Sequence, residues 1–369
     1  MKISNNVLNS KEFIKLIETY GDNLFVNDLI NEFFENRFDI NKESIESKMN
    51  EENIDSNKAF DLSFLESLNL EMDKLTLNKL KDYELLHIDE LNIAEYKNNS
   101  YYKDIKINEF NENGYHLYYK SYLPYETFIY KDITLKSSNY LEINHLGYFK
   151  NEFKLISLDK NDETWMLISP HEINTMKNYI SLMNGNCLIY GLGLGYFPYM
   201  LSLKDDVKEI TIIEKDKEII NIFNKFILPQ FKNKEKIKIV NEDAIKFNKD
   251  IKENEFDNVF IDLWHNQLDG LKFYLYFKQN ELNSSSYYYW IEDSIICYLR
   301  RMLITLLNEY KEGFTFKNYK KFQSFEDKII NSLYFELENK EFNNINEIYN
   351  LLKNESIKEI VKNLKVKIF

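Results

Sequence analysis

Two cysteines, four prolines and nine glycines are all that the 369 residues hold of these types. Cys187 and Cys297 both sit in apolar surroundings, which excludes a disulfide framework and fits a reducing, cytoplasmic setting. The first residues, MKISNNVLNSKEF, lack the apolar stretch of a signal peptide, and no apolar run reaches the ~18 residues of a membrane span, so no membrane association is expected. The five histidines are scattered without ligand spacing, and no metal is expected. Neither a G-x-S-x-G nor a Walker pattern occurs. Basic residues are outnumbered 47 to 60, for a net charge of −13. A chain so acidic repels phosphate backbones, which disfavours nucleic acid as a partner.

What is present is a large apolar complement, 44% of residues with 15% aromatic, on a length that implies two or three folding units. Residues 1–98 read as a helical region. In SKEFIKLIETY the apolar residues Phe13, Ile14, Ile17 and Tyr20 recur at helical spacing behind Ser10, a good N-cap. Segment 41–59 is polar and reads equally as a loop or a loose helix. Over 99–168 the pattern shifts to period two. YHLYYK, ETFIYK, NYLEIN, FKLISL and TWMLIS read as short strands of a small β-rich domain, with turns at Gly114, Pro124, Gly147 and Asp159–Asp162.

From 169 to 312 strand and helix alternate, the signature of a parallel α/β sheet. Ser169, Pro170 and Glu172 open a helix with a capping box and Pro at its first position, and Gly185 is expected to stop it. Residues 313–369 read as a helical C-terminal tail.

Three of the nine glycines, Gly191, Gly193 and Gly195, fall in CLIYGLGLGYFPY, between an apolar strand and a helix. Glycines there let the chain leave the strand sharply and bring main-chain N–H groups close to a ligand. The next strands end in Glu214, in EITIIEKD, placed to bind ribose hydroxyls, then in Asp243, placed for an adenine amino group, then in Asp262. Each acid alone also fits a helix cap or a solvated strand end. His265 follows Asp262 at the same edge, where a neutral imidazole suits a base. Trp264 offers a ring to stack on adenine or a planar substrate, or simply to fill a core. Tyr196 stands where the dinucleotide pattern wants its third glycine, which favours a pocket without a pyrophosphate cradle.

These residues resemble class I S-adenosylmethionine-dependent methyltransferases, and among them the spermidine-synthase-like branch. The likeness runs over roughly residues 140–300. It is carried by YGLGLGYF, IIEKD, the Asp243–Ala244 pair, VFIDLWH, LPQF and, upstream, SPHEINTM with His171 and Glu172. The resemblance implies a Rossmann-like sheet behind a small β domain, with S-adenosyl-L-methionine as cofactor. It implies Gly191, Gly193, Gly195, Glu214, Lys215, Asp243, Ala244 and Asp262 around that molecule, Asp262 and His265 as catalytic groups, and His171, Glu172 and Trp264 on the substrate side. His265 stands where the aminopropyl-transferring members carry a second Asp, and Pro170 where they carry Tyr. The leading expectation is therefore methyl transfer to an unidentified small-molecule or protein acceptor. Aminopropyl transfer and a non-catalytic nucleoside-binding interaction protein remain as alternatives, and a homo-oligomer stays open.

Overall fold

The computed structural model describes residues 1–36, 40–314, 324–366 and 368. It is a mixed α/β fold. After a single helical turn at Asn5–Leu8 come the longer helices α1 (Lys11–Asn36), α2 (Lys42–Glu52), α3 (Ser56–Ser67) and α4 (Lys74–Asp82), and then two short ones, Ile93–Lys97 and Ser100–Asp104. Ser10 Oγ accepts the Phe13 N–H at 3.1 Å, so α1 begins with the expected cap. Segment 41–59 resolves in favour of helix. The Asn41 side chain accepts the Ser44 N–H and the Ser44 hydroxyl returns the favour, and Asp55 caps α3 in turn.

An antiparallel sheet follows, built from β1 (Phe110–Glu112), β2 (Tyr115–Tyr122), β3 (Phe153–Lys160) and β4 (Glu163–Leu167), with spatial order β4-β3-β2-β1. The β3–β4 hairpin turns through Asn161 and Asp162, both left-handed, and register shifts between Thr164 and Met166 put Trp165 on a bulge. Gly147 is not a turn residue. It lies in the short strand Leu146–Tyr148, where a Cβ would come within 3.0–3.1 Å of the Tyr130 and Leu91 side chains.

The second half alternates α5 (Pro170–Leu182), β5 (Gly185–Tyr190), α6 (Tyr196–Ser202), β6 (Val207–Glu214), α7 (Lys217–Ile222), β7 (Ile237–Asn241), α8 (Ala244–Asn248), β8 (Asn258–Ile261), α9 (Gln267–Gln279), β9 (Ser286–Tyr289) and α10 (Glu292–Lys311). The five strands form one all-parallel sheet in the order β7-β6-β5-β8-β9. Its centre is nearly continuous apolar side chain, as expected of a sheet covered on both faces. Helix α5 ends at Leu182, three residues before Gly185. That glycine instead starts β5, because the Asp257 carboxylate occupies the space of any Cβ there. The run YYYWIE is strand only to Tyr289, and Glu292 already begins α10. Within the tail, 324–366 carries helices Phe325–Leu337, Ile345–Leu351 and Asn354–Asn363; its opening residues, 315–323, lie outside the described residues.

Two apolar cores result. The larger joins the parallel sheet, the antiparallel sheet, the tail and the start of α1 through Phe13 and Leu16. The smaller joins the far end of α1, from Val26 to Phe33, with α2, α3 and the strands near Leu141–Tyr148. Among the described residues no helix is long and apolar enough to cross a membrane.

Candidate functional site

The carboxyl ends of the parallel strands open into a cavity of about 940 Å³. Parallel topology delivers every strand end to the same edge, so residues far apart in sequence converge there. Register fixes which ones. Tyr190 pairs Ile213 on one side and Ile261 on the other, so Gly191, Glu214 and Asp262 leave their strands side by side.

The three loop glycines have three different neighbourhoods. A Cβ at Gly191 would sit 2.0 Å from the Asp262 carbonyl oxygen, so the residue is there for close main-chain approach. A Cβ at Gly195, with φ +76°, would sit 2.3 Å from the Phe223 ring. At Gly193, with φ +55°, a Cβ would meet nothing within 4 Å, and the residue faces the cavity. Gly191 and Gly193 line the cavity. Gly195 does not, and there the Phe223 ring fills the space a Cβ would need.

Glu214 is 9% exposed and accepts the Leu192 N–H at 3.2 Å and the Asp216 N–H at 2.8 Å. The acid therefore faces the glycine bend as its sequence position implied. Burial raises its pKa, against the pull of those main-chain donors. Lys215 lies beside it, exposed, at the cavity wall. Asp243 caps α8 by accepting the Lys246 N–H at 3.0 Å, and with Ala244 it also lines the cavity. It thus has the bland capping job while remaining at the edge.

Asp262 and Glu172 meet the cavity from opposite elements, the end of β8 and the first turn of α5. Burial, then the charge of Glu214, pushes the Asp262 carboxyl up to about 7. Burial, then the charge of Asp262, holds Glu172 well above the ordinary carboxylate range. The capping box expected of Glu172 is only half made. Ser169 Oγ accepts the Glu172 N–H at 3.2 Å, but the Ser169 N–H goes to the Leu167 carbonyl, leaving Glu172 Oε2 buried without a partner. His171 stands edge-on to Trp290 with ring centroids 5.8 Å apart, and burial lowers its pKa to about 4, so it is neutral near pH 7.

His265 is on the rim rather than inside, with its side chain 48% exposed. Its Nδ1 lies 3.2 Å from Asp269 Oδ2, and its N–H donates to the same carboxylate. Its ring meets Trp165 edge-on at 4.5 Å, so the bulged hairpin and the start of α9 close over the cavity mouth. Trp264 is 5% exposed and packs against Gly270, where a Cβ would come within 2.7 Å of the ring. It lines the cavity with one flank, and its Nε1 is buried with no acceptor.

The sequence reading missed Trp165, Lys160, Asp216, Asp269 and Trp290, all at the cavity. Asp269 could have been found, since it is four residues past His265 and sits at the third position of the α9 capping box. The Lys160–Asp216 ion pair, 2.8 Å, joins the end of β3 to the loop after β6 and could not, because nothing local links residues 56 apart. Among the described residues no group of His, Cys, Asp and Glu side chains is arranged to hold a metal ion.

Residues 184–298, which span β5 to the first part of α10, match the Spermine/spermidine synthase domain. Among solved structures the chain is similar to spermidine synthase from Thermotoga maritima, at 13% identity over 47% of this chain and 69% of that one, with a TM-score of 0.30. A spermidine synthase in complex with the transition-state analogue AdoDATO gives 14% identity over 47% and 68%, with a TM-score of 0.29. No curated protein matches at the level of sequence. The domain match corrects one expectation. S-adenosyl-L-methionine as a cofactor does not fit, because in the synthase family the nucleoside sulfonium is decarboxylated and is consumed as a substrate.

Proposed function

We propose that the cavity binds a decarboxylated nucleoside sulfonium and transfers its aminopropyl group to an amine. The observation that carries this reading is the charge of the lining. Glu172, Glu214, Glu242, Asp243 and Asp262 all line the cavity, and of its two lysines Lys160 is already paired with Asp216 while Lys215 stands exposed at the wall, so acidic groups predominate. Among the described residues no arginine lines it. An amino-acid carboxylate on the donor would meet like charge and no free guanidinium, whereas a sulfonium, an ammonium and a cationic acceptor would all be attracted. The domain match over 184–298 supports the same choice.

In this reading the bend at Gly191–Leu194 and the Glu214 carboxylate hold the ribose, and Asp243 and Ala244 flank the base. The acceptor enters past Trp165 and His265. Its neutral nitrogen attacks the carbon attached to sulfur. A C–N bond forms, the C–S bond breaks, and the electron pair returns to sulfur, leaving a neutral nucleoside thioether. The proton given up is the one the acceptor's ammonium loses to a side-chain base before the attack, and the product remains a secondary ammonium near pH 7. A sulfonium carbon is already electrophilic, so the side chains supply orientation and a base rather than activation.

The test is chromatographic. Decarboxylated S-adenosylmethionine is incubated with the full chain and a panel of diamines, and 5′-methylthioadenosine is measured. Release above background with at least one amine, and tighter binding of the decarboxylated than of the carboxylated donor, is expected. Binding of the nucleoside with no turnover across the panel would overturn the enzymatic reading, and equal affinity for both donors would remove the charge argument.

A further inference from the structure

We infer that Lys160 and Tyr115, on the antiparallel sheet, are positioning residues for nucleoside binding: they clasp Asp216, and Asp216 in turn fixes the Glu214 carboxylate. The inference rests on the proposed reading of Glu214 as the ribose acid. It goes further by giving a role in the site to a sheet that lies outside the matched residues 184–298.

Each link of the chain is a hydrogen bond. Tyr115 opens β2, Lys160 closes β3, and the two stand opposite each other in the antiparallel ladder. Both therefore reach one oxygen of the same carboxylate. Tyr115 Oη donates to Asp216 Oδ2 at 2.5 Å and Lys160 Nζ donates to it at 2.8 Å. The other oxygen, Oδ1, accepts the Glu218 N–H at 3.0 Å and caps α7. Asp216 is thus gripped by a sheet and by a helix at once. Its own main-chain N–H donates to Glu214 Oε1 at 2.8 Å, while the Leu192 N–H of the glycine bend holds Oε2 at 3.2 Å. From β7, Asn241 Nδ2 donates to the Glu214 and Lys215 carbonyls at 2.9 and 3.0 Å. One carboxylate oxygen of Glu214 is therefore supported by the bend and the other by the clasp.

The side chains of the ion pair are partly exposed, 31% for Lys160 and 21% for Asp216, and such pairs add little to folding stability. Their effect on the site is electrostatic. Burial by itself would raise Asp216, but Lys160 and Tyr115 outweigh it and hold this carboxyl below the ordinary range. Glu214, raised by burial, has Asp216 beside it, Asp262 at the end of β8, and Glu242 and Asp243 at the end of β7. Glu242 is paired with Lys246, and Lys215 stands exposed at the wall. Lys160 is the cation that balances Asp216. Without it two neighbouring carboxylates repel each other, and Glu214 keeps its proton to higher pH. Ribose hydroxyls donate best to an ionised carboxylate, so affinity falls as pH drops through the Glu214 pKa. Removing Lys160 moves that fall to higher pH, and removing the Asp216 charge moves it to lower pH.

The experiment is calorimetric titration of the full chain with 5′-methylthioadenosine across about pH 5 to 8. Lys160→Met is expected to weaken binding about tenfold at pH 7 and to shift the acid-side loss of affinity upward. Asp216→Asn is expected to shift it downward. Tyr115→Phe, which removes one hydroxyl, is expected to weaken binding about threefold. With Glu214→Gln already in place, neither Lys160→Met nor Tyr115→Phe should cost anything further. A sheet that was merely loosened would leave the pH profile where it was, and its effect would add to that of Glu214→Gln. If Lys160→Met does not fold, Tyr115→Phe with and without Glu214→Gln decides by the same non-additivity. Binding weakened by Glu214→Gln but by neither clasp variant, or clasp effects that add to it, overturns the inference and leaves the proposed function standing. Absence of nucleoside binding by the parent chain removes both.

Discussion

The glycine bend makes a prediction that separates fold from ligand within three residues. Gly195→Ala places a Cβ 2.3 Å from Phe223 Cε2, in a backbone at φ +76°. The left-handed conformation costs an L-residue about 1–2 kcal/mol. Relieving the ring clash by moving Phe223, which is 1% exposed in the main core, costs roughly another 1–3 kcal/mol. The sum, about 2–5 kcal/mol, is a large share of the stability of an ordinary folded chain. Gly193→Ala carries the backbone term alone, about 1–2 kcal/mol, since nothing lies within 4 Å of the new methyl. That methyl would instead project into the cavity where a nucleoside has to approach. Urea unfolding followed by circular dichroism should therefore shift the midpoint much further for Gly195→Ala, with the slope unchanged. Calorimetry with 5′-methylthioadenosine should show the converse, with binding weakened strongly by Gly193→Ala. If Gly195→Ala unfolds within 1 kcal/mol of the parent, or Gly193→Ala binds as the parent does, the division of labour between the two glycines is wrong.

Replacing Glu214 with Gln removes a charged acceptor from the Leu192 and Asp216 N–H groups, and, if the proposed ribose contact holds, nucleoside affinity should fall about tenfold or more. His265→Ala and Trp165→Ala should raise the amine KM by roughly tenfold, the size of one contact at the mouth, while nucleoside affinity measured by calorimetry stays level. Asp262 has a raised pKa in the folded chain, so its contribution to stability is complete below the ordinary carboxylate range and is lost as pH climbs through about 7. The ligand-free chain should thus melt at lower temperature at pH 8 than at pH 5, and Asp262→Asn should flatten that slope. Far from the cavity, Glu142 is 3% exposed and paired with Arg301, and Glu142→Ala should cost about 1–3 kcal/mol in denaturant titration by leaving a half-buried guanidinium without its partner.

Periodicity and punctuation made the alternation of 185–311 readable, because the strands are short apolar runs and three of the helices, α7, α8 and α9, have local caps at Asp216, Asp243 and Asn266. The convergence of Glu214 and Asp262 was readable as well, since parallel strands must end together. What was not readable depends on partners distant in sequence. The Gly195 requirement is set by Phe223, the Gly185 requirement by Asp257 and the Gly147 requirement by Tyr130 and Leu91. Segment 41–59 lacks an apolar stripe, with Ile45 the buried residue of α2, so α2 leans on its cap at Asn41, while α3 starts from the Asp55 cap and is anchored by Phe60 and Phe64 beyond the segment. Glu172 shows the same limit at the site. Its spacing from Ser169 spells a capping box, but whether the box closes depends on where β4 leaves the Leu167 carbonyl.

The first residues of the chain lie beside the tail. Lys2–Ile3 runs parallel to Glu341–Phe342, Lys2 pairs with Glu341 at 2.8 Å, and the Met1 amino group donates to the Glu338 carbonyl. During synthesis that opening segment has to wait for some three hundred and forty residues to emerge before its own partner exists. Pairing of these two segments is therefore a late event in folding, one that follows the local contacts of each.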